Sequence, residues 1–183
     1  MGYYGRSFEL ANRVRPLKTK ADFKGLKIRC NLPTAVAAVA AMGAAPLKMS
    51  SSEVYMALQR KTIDGVVSGA QSIVKRKWNE TCKYLTLTYG GFSPWPVTVN
   101  TKFWNTLSPD IQQAVMEAAA EVSKISLEQA EKEDAAALSE ARKSMEIYLL
   151  EGEWPEARDA GLSAWRKRSG DETADNVLKL LGM

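Results

Sequence analysis

The fold can be read outward from Asp22-Phe23-Lys24-Gly25-Leu26-Lys27-Ile28-Arg29-Cys30. Leu26, Ile28 and Cys30 alternate with Lys27 and Arg29, the period of a strand with one covered face. Just upstream, Thr19-Lys20-Ala21-Asp22 reads as a helical turn with Thr19 as its N-cap, stopped by Gly25. Downstream, Pro33-Thr34 opens a helix over residues 35–42 that Gly43 closes. Residues 46–49 read as a short strand. Ser50-Ser51-Ser52-Glu53 starts a second helix, with serine caps and an acid suited to a helix N-terminus. Ile63-Asp64-Gly65-Val66-Val67-Ser68 reads as another strand, followed by a helix over 70–82 and an extended stretch over 84–100. Residues 6–14 form a strand ended by Pro16.

Strands alternating with helices predict an α/β fold whose strands are mostly parallel. In such sheets ligands gather beyond the C-terminal ends of the strands. Arg29 and Ser68 both end strands, so both belong to that rim.

The second half reads differently. Ser108-Pro109-Asp110 is a strong helix start, with Ser108 as N-cap and Pro109 in the first turn. Nothing breaks the helix before about residue 145, a length of roughly 55 Å at 1.5 Å per residue. That exceeds the width of a small domain. Its apolar stripe runs Ile111, Val115, Ala118, Val122 and Ile125. A short strand at 146–150 follows, and then a mostly helical tail over 154–183 interrupted near Gly170. Two units are expected. Residues 1–100 form an α/β ligand-binding lobe with hinge strands. Residues 101–183 form the long helix, with a C-terminal strand and helices packed on the lobe.

Composition narrows the chemistry. The 183 residues carry a formal net charge of +4 and no histidine, so the commonest general base and metal ligand is missing. Cys30 and Cys82 are too far apart for a CxxC pair, and a buried free thiol and a single disulfide both stay open. The basic clusters Lys75-Arg76-Lys77 and Arg166-Lys167-Arg168 read as solvated helix faces rather than a nucleic-acid footprint. No apolar run is long enough to span a membrane. No acid pair, nucleophile–base pair or phosphate loop is visible. The expectation is no enzyme, no metal and no cofactor.

The stretch 22–29 resembles the "D-L-K-G-L-K-I-R" signature of TRAP transporter solute-binding proteins. Further matches keep the family's order: Gly43-Ala44 with Pro46; Ser52-Glu53-Val54-Tyr55-Met56-Ala57-Leu58-Gln59; Ile63-Asp64-Gly65; then Val99-Asn100, Trp104, Leu107-Ser108 and Gln112-Gln113. The resemblance implies a clamshell of the periplasmic-binding-protein-like type II, here incomplete, because the pattern begins partway through the family's. In that family the long helix spans both domains, and strands near 6–14 and 95–100 would cross between them. It also implies periplasmic localisation, a small organic acid as ligand, and the membrane subunits of a TRAP transporter as partners.

The resemblance assigns Arg29 to the ligand carboxylate, and the chemistry agrees. A guanidinium is a planar fork of donors that fits a carboxylate and stays charged. Ser68 falls where relatives carry an amide or hydroxyl, and Asn31 could add a donor or form an Asx turn before Pro33. Ser51 falls where some relatives contact ligand, and could equally be a plain N-cap. Trp95, with Phe92, could line the cleft or pack a hinge. A second arginine is expected from the preceding strand: Arg6 first, with Arg13 and Arg15 as alternatives. Asp64-Gly65 reads as structural. The rival expectation is a truncated, ligand-incompetent fragment that associates with itself as a homo-oligomer.

Overall fold

The computed structural model describes residues 9–88, 96–152 and 154–180. Six strands form one sheet: β1 (Glu9–Asn12), β2 (Lys27–Arg29), β3 (Ala45–Leu47), β4 (Gly65–Ser68), β5 (Tyr84–Leu87) and β6 (Glu146–Leu149). Their order is β3-β2-β4-β1-β5-β6. β2 runs parallel to β3 and β4, and β5 parallel to β6. β1 is antiparallel to both its neighbours, β4 and β5. The sheet is mostly parallel, as the strand–helix alternation predicts, with β1 alone running against the other five strands. Alternation reports which face a side chain takes, not the direction of the neighbouring strand.

The helices are α1 (Pro33–Ala41), α2 (Val54–Gln59), α3 (Ala70–Lys75), α4 (Thr101–Trp104), α5 (Pro109–Ala141), α6 (Pro155–Ser169) and α7 (Asp171–Leu180). They cover the sheet on both faces. Ala11, Val66, Leu85 and Leu87 face a core with Val54 and Leu58 of α2, Ile73 of α3 and Ala141 of α5. Leu10, Ile28 and Val67 face a second core with Ala35 and Val39 of α1, against which Trp154 and Ala157 pack. Consecutive residues of β1 and β4 therefore feed opposite cores, as the pleat requires. Cys82 lies in the first core and Cys30 in the second, so the sheet separates them and both are free thiols.

Several boundaries moved. The helix expected over 70–82 stops at Lys75, because Lys77 takes a left-handed φ of 59°. That turn drops Trp78, 1% exposed, into the first core. Burial of a large apolar side chain stabilises by about 1.5–3 kcal/mol, more than one left-handed residue costs. The extended stretch expected to residue 100 ends as a strand at Leu87; Phe92 and Trp95 lie outside the described residues. Residues 96–100 form no regular strand, and Asn100 caps α4 by accepting from the Lys102 and Phe103 amides at 2.9 and 3.2 Å. α5 has 33 residues, about 50 Å at 1.5 Å each. Its C-terminal part is anchored through buried Ala130, Ala137 and Ala141 and a Gln71–Asp134 hydrogen bond of 2.9 Å to α3.

The Asp64-Gly65 pair holds the sheet at its other end. A Cβ on Gly65 would lie 2.6 Å from the Ala11 carbonyl oxygen and 2.9 Å from Asn12 Cβ, so β1 and β4 approach this closely only with glycine there. Asp64 accepts from Arg13 Nη2 at 2.6 Å and from the Lys27 amide at 3.0 Å, tying β1, β2 and β4 together.

Candidate ligand-binding rim

Arg29 is the last residue of β2. Its neighbours Ile28 and Cys30 enter the α1-side core, so the pleat sends Arg29 to the face covered by α2 and α3. It is only 3% exposed. Nε and Nη2 both donate to the Met49 carbonyl at 3.1 Å, and Nη2 also donates to Ser51 Oγ at 3.1 Å. The loop after β3 is held within reach by the Cys30 amide, which donates to Leu47 O at 2.9 Å. Among the described residues no carboxylate pairs with Arg29. Burial pulls its pKa down from the usual arginine range, which expresses the same fact: nothing described compensates the charge. The guanidinium remains protonated at neutral pH. Its Nε–Nη2 edge is spent on a backbone carbonyl, which fixes the plane, while Nη1 donates to no described residue.

Ser51 belongs to a turn and not to the first turn of a helix. α2 starts only at Val54, with Glu53 as N-cap residue. The turn is closed by Glu53, whose carboxylate accepts from the Ser50 amide at 2.9 Å, and by a 2.8 Å contact between the Ser50 and Ser52 hydroxyls. The helix start expected at the serines is therefore corrected, and Ser51 caps nothing. Its oxygen accepts from Arg29 while its own proton stays available to an anion.

Ser68 ends β4, half-buried. Arg29 is in register with Val66, and Ser68 stands two residues further along the same face. Arg29, Ser51 and Ser68 thus gather at one rim. Asn31 is exposed in the loop before α1, and its side chain bonds to no described residue, so the Asx turn does not form.

Arg6 and Trp95 lie outside the described residues. Arg13 and Arg15, the alternatives for a second ligand arginine, are corrected: both are engaged elsewhere. Arg13 pairs with Asp64 at 2.6 Å at the opposite end of the sheet. Arg15 donates to the carbonyls of Asp22 and Lys24 at 2.9 and 2.7 Å, bracing the turn before β2. Sequence reasoning missed the Met49 carbonyl, because a backbone acceptor leaves no mark in residue identity.

Among the described residues there is no cluster of metal-ligating side chains, and none of the helices is long and apolar enough to cross a membrane. The rim can hold an anion, orient it and surround it with hydroxyls.

Comparison with known proteins identifies the family. Residues 3–169 match the sequence profile of the bacterial extracellular solute-binding proteins, family 7 (DctP). The 2,3-diketo-L-gulonate-binding periplasmic protein YiaO of Escherichia coli is 40% identical over 114 residues, covering 62% of this chain and 35% of that protein. The C4-dicarboxylate-binding periplasmic protein DctP of Rhodobacter capsulatus is 33% identical over 122 residues, covering 66% and 37%. The crystal structure of a TRAP periplasmic solute-binding protein from Ochrobactrum anthropi superposes with a TM-score of 0.83 at 31% identity, covering 98% of this chain and 59% of that one. The chain spans little more than a third of the length of these curated relatives. It belongs to the DctP family of TRAP solute-binding proteins, and its sheet with flanking helices corresponds to part of their clamshell.

Proposed function

We infer that the chain supplies the Arg29-bearing part of a TRAP-type solute-binding protein and captures a small organic acid, a hydroxylated carboxylate. The observation that carries this reading is the buried, pre-oriented Arg29 guanidinium with no described counter-ion. Isolating a cation from water is costly, and a carboxylate ligand is the group that repays it best. Ser51 and Ser68 contribute neutral hydroxyls suited to a sugar acid, and the relatives' ligands include 2,3-diketo-L-gulonate. Asn31, Arg6 and Trp95 are secondary contacts in this reading. Residues 1–100 act as the binding lobe, with residues 101–183 as scaffold. The bound acid passes to the membrane subunits of a TRAP transporter, in the periplasm, with no chemical step on the ligand.

NMR titration with 2,3-diketo-L-gulonate tests this. The expected result is a shift of the Arg29 Nε–H resonance together with the Ser51 and Ser68 amides, all lost in Arg29→Ala. Shifts that survive Arg29→Ala would remove Arg29 from the site.

One observation favours a second reading, ligand-blind self-association. The N-terminal part of α5 exposes Ile111, Val115, Met116, Val122 and Ile125, each at least 42% exposed. Light scattering separates the two: a monomer stabilised by ligand supports the first, a ligand-blind oligomer the second.

A further inference from the structure

The two edges of the sheet are finished differently. At one edge, β3 carries Pro46. The Ala45 amide donates inward to Leu26 O at 2.8 Å, so residue 46 is the one whose amide would point out, and proline has none. At the other edge, β6 has no such block. The Glu146 and Leu150 amides donate inward to Lys83 O and Leu87 O at 2.8 and 3.0 Å. Alternate residues of a strand bond to opposite sides, so Ile147 and Leu149 turn their amides and carbonyls outward. Among the described residues neither amide has an acceptor. The side chains alternate too. Ile147 packs on the first core, and Leu149, on the same face, is 50% exposed. Glu146, Tyr148 and Leu150 take the other face, where Lys18 Nζ lies 4.9 Å from the centre of the Tyr148 ring.

We propose that β6 pairs antiparallel with β6 of a second copy of this chain, continuing the sheet across a twofold axis at Tyr148. The edge is self-complementary in that register. Ile147 stands opposite the partner's Leu149, and Leu149 opposite the partner's Ile147, so the outward groups meet and each pair exchanges two hydrogen bonds. The same pairs join apolar side chains on one face, while the two Tyr148 rings meet on the other. The partner's Glu146 comes opposite Leu150, beside the segment of Lys18, a favourable pairing of charge. Neighbouring registers are spoiled. A slip of one residue sets outward groups against inward ones. A slip of two brings in the amide of Met145 or Glu151, and these already donate to Ala141 O at 2.8 Å and Lys18 O at 3.2 Å. The strand is four residues long, so the contact falls short of the roughly 1,200 Å² of stable interfaces. The dimer is therefore weak, and the chain is monomeric when dilute. β5, β1 and β4 separate this edge from the strand of Arg29, which leaves the rim open in both states.

Cysteine cross-linking of the whole chain at about 1 mM, the weak end of specific association, tests this. Directly opposed residues that do not exchange hydrogen bonds lie close enough for a disulfide, and the native thiols are buried. Tyr148→Cys should therefore form a covalent dimer on mild oxidation, about tenfold faster than Ile147→Cys, whose opposite residue is the partner's Leu149. Adding Leu149→Pro to Tyr148→Cys should abolish the cross-link. It removes an outward amide that the monomer does not use, and circular dichroism checks that the fold is kept. Adding Val115→Asp, on the exposed stripe of α5, should leave the cross-link unchanged, as should Arg29→Ala. The proposal is overturned by any of three results: no cross-link through Tyr148→Cys, a cross-link that Leu149→Pro leaves intact, or one that Val115→Asp abolishes, which would place the association on α5. Ligand capture is tested separately with a sugar acid, so either reading can fail alone.

Discussion

Arg13 and Arg29 extend from neighbouring parts of one sheet, yet among the described residues only Arg13 meets a carboxylate. Arg13 meets Asp64 at 2.6 Å, with the two side chains 25% and 16% exposed. Arg29 is buried more deeply and meets a carbonyl and a hydroxyl. The pair at Arg13 ties strands together at the N-terminal ends of β2 and β4. The isolated charge at Arg29 stands at their C-terminal ends, where α/β sheets take ligands. What distinguishes the two arginines is the partner each meets, not residue type.

The comparison can be broken or sharpened in several ways. The largest effect concerns Cys30, next to Arg29 in sequence but on the other side of the sheet. Burial pushes its thiol and that of Cys82 up to about 12 from 9.0. Three pH units correspond to about a thousandfold less thiolate at pH 8. Both thiols should resist a disulfide reagent in the native protein and react in urea. Fast native labelling of Cys30 would mean that the Arg29 charge reaches across the sheet. Next, Asp64→Ala should lower stability by about 2 kcal/mol in urea unfolding, since it leaves Arg13 half-buried and unpaired. A loss below about 0.5 kcal/mol would erase the contrast between the two arginines. Ser51→Ala should weaken sugar-acid binding roughly fivefold, a lost hydroxyl contact, while changing stability little. The smallest effect is at Asp22. The Thr19 amide holds its carboxyl below the usual range. Its stabilisation is therefore present above the unfolded carboxyl pKa and lost as pH falls through the folded one. Asp22→Asn should flatten the acid limb of the stability–pH profile by a small amount.

Much of this was legible in advance because period and punctuation are local. The alternation around Ile28 and Arg29 placed β2, and Ser108-Pro109 placed the start of α5. The direction of β1 was not legible, since antiparallel pairing comes from the chain's path and not from its own four residues. Ser51 read as a helix cap because a serine before an apolar stripe usually is one; here the Glu53 carboxylate closes the turn first, freeing Ser51 for Arg29. Arg13 and Arg15 looked interchangeable with Arg6 because spacing cannot show that Asp64 and two carbonyls already hold them.

Replacing each arginine by methionine, and measuring urea unfolding with and without 2,3-diketo-L-gulonate, tests the account most directly. An uncompensated buried charge contributes no stability of its own, so ligand-free Arg29→Met should unfold within about 1 kcal/mol of wild type and lose all stabilisation by ligand. Arg13→Met should lose about 1–2 kcal/mol and keep the ligand effect. Arg29→Met that unfolds as easily as Arg13→Met, or that ligand still stabilises, would contradict the account.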